Sequence, residues 1–443
     1  MRNANVSPLT TATSTALLTD RYELTMLDAA LLDGTADIPC LFELFARHLP
    51  TGRRYGVVAG TGRLLEALRD FRFTDEQLAF LRDEHVVRPE TIEWLADYRY
   101  DGNVFGYREG ELYFDHSPLV TFETDFAHGV MLETLALSVY NYDSAVASAA
   151  SRMALAARGR PLAEMGSRRT NETAAVAGTR AAYIAGFAAS SNLEAGRRWG
   201  IPTMGTAAHA WTLLHDTEEE AFRAQIEAMG TDTTLLVDTY DITKGVETAI
   251  RVAGPHLGGV RIDSGDLPST AAAVRRQLDA LGATETKITV TNDLTEYAIA
   301  ALAASPVDSY GVGTSVLTGS GHATAGMVYK LTSRQNPDGS WTAVQKASAG
   351  KGHRGGRKDA ARRIDARGRA TAEVIAVEKT AATQPDDRPL LVPLMQRGEA
   401  LHEHLGAAGT RAAREHHARV LEELPPNGRR MSSGEPAIPS LFV

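Results

Sequence analysis

A single cysteine, Cys40, in 443 residues excludes an intrachain disulfide and any cysteine-rich metal site. No run of about 18 apolar residues occurs, so the chain offers no membrane-spanning helix. An excess of positive charge is missing as well. Lys and Arg number 46 against 55 Asp and Glu, for a formal net charge of −9, which argues against broad nucleic-acid binding while leaving room for a local basic patch. Met1 to Thr13 is polar and has no apolar run of the secretory kind. The expectation is a cytoplasmic protein with neither a nucleic-acid nor a membrane partner.

What is present is enough apolar residue, 43% of the chain, for a substantial core. The length predicts two or three lobes. Thr19 or Asp20 stands as an N-cap before an apolar-periodic helix, with Tyr22 in its first turn. There Tyr22 is either a surface residue under a neighbouring loop or a ligand contact. Cys40 to Phe45 alternates like a strand, and Thr61 to Phe71 and Thr74 to Asp83 read as helices. Asn103 to Tyr107 and Leu112 to Phe114 read as a β-hairpin around Glu109-Gly110. A long Ala-rich helix is predicted over Leu132 to Arg158.

Beyond it the texture becomes strand, loop, helix. Apolar or β-branched runs end at Gly166, Gly205, Asp238, Asp263, Asn292 and Gly313, at intervals of about 20 to 40 residues that suit βα units of a parallel sheet. Polar residues follow each run: Arg168-Arg169, Thr206 with His209, Asp238, Asp263 with Asp266, Asn292-Asp293 and Gly313-Thr314. If the strands close into a barrel, all of these point into one C-terminal mouth. The strand expected at Ile201 to Met204 leads through small residues to His209, at a strand-to-helix turn of the kind that binds ligands in α/β folds. After Lys330 the repetition stops. A turn at Gln335 to Gly339, strands at Trp341 to Lys346 and Ala372 to Val377, and a helix at Gly406 to Leu424 are expected to complete the first lobe. The expected fold class is α/β: βα units of a parallel sheet that, if closed, make an irregular TIM-like β/α barrel, with an α+β lobe built from both chain ends. The expected divisions are 1–125 for that lobe, 126–331 for the barrel with its mouth, and 332–443 for the completing segment with a basic, Gly-rich loop.

Several clusters carry chemistry. Gly311-Val312-Gly313-Thr314-Ser315 offers backbone N–H groups and hydroxyls to a phosphate, though glycine also serves any tight turn. Arg261 to Asp266 sets a guanidinium beside carboxylates. Such a set can grip a substrate carboxylate or phosphate and position Mg²⁺ or a ribose hydroxyl, or it can form a structural ion pair at the rim. Arg168-Arg169 adds positive charge to the same mouth unless the pair is merely solvated. The basic 351–369 run is either a solvated loop or a lid that brings cations to a polyphosphate.

Leu17-Leu18-Thr19-Asp20 with Tyr22 to Met26, Glu164 to Arg169, Gly205 to His209, Arg261 to Asp266, Gly311 to Ser315 and Val328 to Leu331 together resemble the nicotinate phosphoribosyltransferases. The resemblance implies a type II phosphoribosyltransferase barrel. It implies joining of nicotinate to phosphoribosyl pyrophosphate (PRPP), coupled to ATP, with Mg²⁺ as cofactor and no metal ligands assigned. It implies that His209 is transiently phosphorylated and that Asp263 is catalytic. Tyr22, Thr206 and Arg261 match nicotinate contacts, and Arg168, Gly313 and Thr314 complete the expected substrate-binding set. A homodimer is implied, in which Tyr22 of one subunit covers the mouth of the other. Members often carry Phe where this chain has Met165, so a thioether would pack on the ring here. The acidic PRPP motif of the Rossmann-like class is missing. Nicotinamide or quinolinate phosphoribosyl transfer, or an inactive ligand-sensing barrel, are the alternatives.

Overall fold

The computed structural model describes residues 14–346 and 354–443. Its two large sheets follow from two patterns of alternation. In the barrel half, Leu162, Val260, Ile262, Ile288, Val290, Tyr310 and Val312 are buried among helix residues such as Val246, Ile250, Val274, Leu278 and Ile299. The intervening positions Ala163, Arg261, Thr289, Thr291, Ser309 and Gly311 line hollows on the sheet's inner face. Period-2 alternation thus separates a helix-packed outside from a lumen inside.

The parallel sheet runs in the order Ala189–Ser190, Leu162–Glu164, Ser309–Val312, Lys287–Val290, Gly259–Ile262, Thr234–Leu236. The first and last of these in the chain pair with each other, Tyr310 with Leu162 and Val312 with Glu164, so the sheet curls around on itself. Thr203 adds a single parallel bridge to Ser190 at the far edge. The seam lies between that bridge and Thr234–Leu236.

Ile201–Met204, expected as a strand, is reduced to this one bridge. Ser190 N donates to the Pro202 carbonyl at 3.0 Å and Met204 N donates to the Ser190 carbonyl at 2.9 Å. Pro202 has no N–H with which to extend a ladder. The residue pair 189–190 is a strand that the sequence pattern does not announce, being two residues long.

The second large sheet is antiparallel. It runs Trp341–Ala343, Met327–Gln335, Pro39–Ala46, Pro118–Asp125, Asn103–Tyr107, Leu391–Gln396, Glu399–Ala400, so strands from both chain ends interleave. Met327–Gln335 belongs wholly to this sheet, and a division at 331 falls inside it. Beside it lies a four-stranded sheet of Asp387–Pro389, Lys358–Ile364, Ala370–Val377 and Ser440–Phe442. Helix Glu133–Ala157 joins the halves: Leu135, Val139 and Tyr140 sit in the core of the sheet lobe, while Val146, Ala150 and Met153 sit in that of the barrel.

One expectation is corrected. Asn103–Tyr107 and Leu112–Tyr113 form no hairpin, because the first pairs with Pro118–Asp125 and the second with Gly56–Val57. Glu109 turns inward instead and accepts hydrogen bonds from Gly60 N at 2.6 Å, Gly62 N at 3.2 Å and both terminal nitrogens of Arg180. That buried ion pair holds the connection away from a tight turn. The basic run 351–369, read as a solvated loop or a lid, contains the strand Lys358–Ile364 in its described part, and several of its cations are engaged in ion pairs. Lys358 pairs with buried Glu43 at 2.9 Å, Arg362 with Glu373 at 3.1 Å, Arg363 with Asp387 at 3.2 Å and Arg357 with Glu123. Residues 351–353 lie outside the described part. Among the described residues no helix is long and apolar enough to cross a membrane.

Candidate active site

At the carboxyl ends of the barrel strands, Met165, Arg168, Arg169, Arg261, Asp263, Thr291, Asn292, Asp293, Gly311, Gly313 and Thr314 enclose a cavity of about 180 Å³. Arg261 is the last inward-facing residue of its strand, Gly259–Ile262. Its Nη1 donates to Thr206 Oγ1 at 2.8 Å and its Nη2 to the Ala207 carbonyl at 3.3 Å. The bond to Thr206 reaches across the seam. So does the hydrogen bond between His209 Nδ1 and Thr239 Oγ1, at 3.1 Å. His209 opens the short helix His209–Leu214, and its Nε2 lies 3.9 Å from Asp263 Oδ2.

Asp263 is fixed from two sides. Thr291 Oγ1 donates to its Oδ1, while its own backbone N–H donates to Asp238 Oδ2 at 2.7 Å. The same Asp238 oxygen accepts from Ser264 Oγ at 2.7 Å. Asp238 Oδ1 and Arg261 Nε are buried with no hydrogen-bond partner among the described residues. A buried polar atom left unpaired costs roughly 1–3 kcal/mol, and these two lie close together at the mouth. Burial pushes the Arg261 guanidinium below its ordinary range, Asp263 and Asp238 oppose that shift, and Arg168 reinforces it.

Close approach explains the glycines. A Cβ on Gly311 would lie 2.6 Å from Thr291 Cγ2 and 2.7 Å from Met165 Sδ. One on Gly166 would lie 2.7 Å from the Gly313 carbonyl. The turns after the two strands that close the sheet therefore approach each other backbone to backbone. Glu164 supports them by accepting from Gly166 N, from Thr179 Oγ1 at 2.6 Å and from Ser190 Oγ at 2.7 Å. Asn292 sits at φ 106°, a strained conformation for a residue with a side chain, in the loop that lines the cavity.

Of the residues expected at the site, Arg168, Arg261, Asp263, Gly313 and Thr314 share this cavity, and Thr206 and His209 adjoin it through Arg261 and Asp263. Tyr22 is not among them. It stands in the first turn of helix Arg21–Asp33, half exposed, flanked by Glu133 and Thr134 at the start of the long helix. Its neighbour Glu23 holds it there, accepting from Thr134 N at 2.8 Å, Thr134 Oγ1 at 2.6 Å and Thr19 Oγ1. Burial pushes the Tyr22 phenol up to about 12, with Glu133 and Glu23 adding to the shift, so the ring is neutral. Thr239 and Thr291 are supporting residues that sequence reasoning does not single out, and Glu164 enters it only as part of the Glu164 to Arg169 motif. Thr239 and Thr291 each lie next to an acidic or amide residue at a strand end, which is the only signal they give.

A β/α barrel with arginines, carboxylates and a Gly-Thr turn gathered at one mouth, backed by an antiparallel lobe from both chain ends, is the architecture expected of a barrel-type phosphoribosyltransferase. Residues 17–141 match the model of the nicotinate phosphoribosyltransferase N-terminal domain. A nicotinate phosphoribosyltransferase of Mycobacterium tuberculosis (strain H37Rv) is 54% identical, over 96% of this chain and 95% of the relative. A second from the same strain is 37% identical, over 94% of this chain and 89% of the relative. The chain belongs to the nicotinate phosphoribosyltransferase family. In fold it is similar to human nicotinic acid phosphoribosyltransferase, with a TM-score of 0.81 at 24% identity, covering 96% of this chain and 97% of that one. It is also similar to a nicotinate-nucleotide pyrophosphorylase from Pyrococcus furiosus, with a TM-score of 0.75 at 22% identity, covering 96% and 99%.

Proposed function

We propose that the barrel mouth joins nicotinate to PRPP, with ATP consumed through His209, as the entry of nicotinate into NAD salvage. The observation that carries this reading is the single cavity shared by Arg261, Asp263, Arg168, Gly313 and Thr314, with His209 on the far side of Asp263. Arg261 would hold the nicotinate carboxylate. Its position is already set by Thr206 and Ala207, so little reorganisation accompanies binding. The ring nitrogen then attacks C1′ of the ribose as the bond from C1′ to the pyrophosphate oxygen breaks. Gly313 and Thr314 receive the ribose phosphate at the start of a helical turn, and Arg168 neutralises charge beside it.

Among the described residues no group of three His, Cys, Asp or Glu is assembled for a metal. Asp263 and Asp293 line the cavity, and two hard carboxylates fit Mg²⁺, which is commonly held by one or two carboxylates together with substrate phosphates. Bound there, the ion would neutralise the leaving pyrophosphate. In the ATP half-reaction a ring nitrogen of His209 attacks the γ-phosphorus and ADP leaves. Water later cleaves the phosphoryl–nitrogen bond to give phosphate. Thr239 orients the imidazole for the first step.

Tyr22 would reach the nicotinate ring from a second subunit. Exposed Leu18 and Tyr22 on one lobe, and exposed Leu213, Leu214 and Tyr240 near His209, support a homodimer in which these two apolar surfaces meet. The direct test supplies nicotinate, nicotinamide and quinolinate separately with PRPP, with and without ATP. Mononucleotide should form from nicotinate, faster with ATP. Preference for either other pyridine, or no product from any, would overturn the reading.

A further inference from the structure

Behind the mouth, away from the groups already described, lies a buried ionic cluster that the proposed chemistry does not use. Glu296 sits in the first turn of helix Glu296–Ala301, directly after the strained Asn292 loop. Its Oε1 accepts from Arg53 Nη1 at 3.0 Å and from Arg152 Nε at 3.1 Å, and its Oε2 accepts from Ser320 Oγ. Arg53 Nη2 donates to the Gly319 carbonyl at 2.9 Å, and Arg152 Nη2 to the Met431 carbonyl at 2.8 Å. All three charged side chains are buried.

The residues gripped are unusual. Gly319, Ser320 and Gly321 all have positive φ, of 62°, 52° and 89°. For serine this left-handed conformation is held against a steric preference, so something must fix it. The turn ends the short helix Thr314–Leu317, whose first residue and preceding Gly313 line the cavity. Thr318 Oγ1 donates back to the Thr314 carbonyl at 2.9 Å, tying the turn to the mouth. A buried carboxylate with two guanidiniums adds little net stability over apolar packing of the same shape. What it provides is fixed geometry. Through Glu296 the loop after one barrel strand and the loop after the next are locked together, and Arg53 and Arg152 lock both to the rest of the protein.

We propose that Glu296 is a positioning residue for the phosphate end of the substrate, holding Gly313–Thr314 in register with the Asn292–Asp293 loop through Ser320. This rests on the reading of Gly313–Thr314 as the phosphate seat. The test measures kcat and both KM values in Glu296→Gln, Ser320→Ala, the double variant and Thr314→Ala. Glu296→Gln and Ser320→Ala should each raise the PRPP KM about tenfold. The nicotinate KM and kcat should stay within about twofold, and the double variant should be no worse than Glu296→Gln. If Glu296→Gln fails to fold, Ser320→Ala, which keeps both ion pairs, decides alone. A lowered Tm with the PRPP KM unchanged would reduce Glu296 to a structural ion pair and overturn the proposal. A raised PRPP KM in Thr314→Ala alone would leave the phosphate seat standing and remove Glu296 from it. An unchanged PRPP KM in Thr314→Ala would remove the seat itself.

Discussion

His209→Ala should abolish ATP stimulation while leaving the protein folded. The imidazole is partly exposed at the start of a short helix, where its Nδ1 shares one hydrogen bond with Thr239 Oγ1 and its Nε2 approaches Asp263 to 3.9 Å. Removing it opens no core cavity, so the effect on stability should be within about 0.5 kcal/mol, as for other surface substitutions. The chemical loss should be complete, because alanine offers no nucleophile for the γ-phosphorus. Incubation with γ-labelled ATP should mark the native protein with an acid-labile, alkali-stable phosphoryl group. Equal labelling of the variant would place the phosphoryl acceptor elsewhere.

The second large effect is expected at Arg261. Arg261→Lys keeps the charge but loses the planar fork that engages Thr206 and Ala207 and would grip a carboxylate with two parallel bonds. Loss of a desolvated, charge-assisted pair costs on the order of 2–3 kcal/mol, so the nicotinate KM should rise about 30- to 150-fold. The PRPP KM should move far less. An unchanged nicotinate KM would assign the carboxylate to another cation of the cavity lining, Arg168 or Arg169.

Repetition made the barrel legible from sequence, and termini made the lobe legible only in part. Each βα unit of the barrel carries its own hydrophobic run and its own polar end, so Asp238, Asp263, Asn292 and Gly313 announced four strand ends within two residues of where the strands stop. The two-residue strand at Ala189–Ser190 has no run long enough to show a period, and Ile201–Met204 has the composition of a strand but a proline where the ladder needs a donor. The supposed hairpin at 103–114 failed for a tertiary reason. Glu109 is held inside the protein by Arg180, a partner 71 residues away that local pattern cannot reveal. The ion pairs of the basic run are hidden similarly, since Glu43, Glu373 and Asp387 claim its cations across the lobe's sheets.

At the mouth, the structure brings together several of the residue types that the sequence marks out by their chemistry. Residues that act through another are not so marked. Arg261, His209 and Gly313-Thr314 stand out because guanidinium, imidazole and a Gly-Thr turn have few roles at a strand end. Thr239 and Thr291 are ordinary residues until the fold places them against His209 and Asp263. Tyr22 is the converse case. The family resemblance implies a place for it on the nicotinate ring, while the folded chain seats it against Glu133 and Thr134 through Glu23.

In the proposed homodimer a complete mouth would take Tyr22 from one chain and His209 from the other. Mixed dimers test it most directly. Tyr22→Ala and His209→Ala proteins, each deficient alone in ATP-stimulated formation of nicotinate mononucleotide, are co-expressed with different tags and the heterodimer is purified. One of its two mouths has both residues intact, so about half of the native ATP-stimulated activity should return. No recovery in the purified heterodimer would show that Tyr22 does not act across a subunit boundary, and would contradict the account.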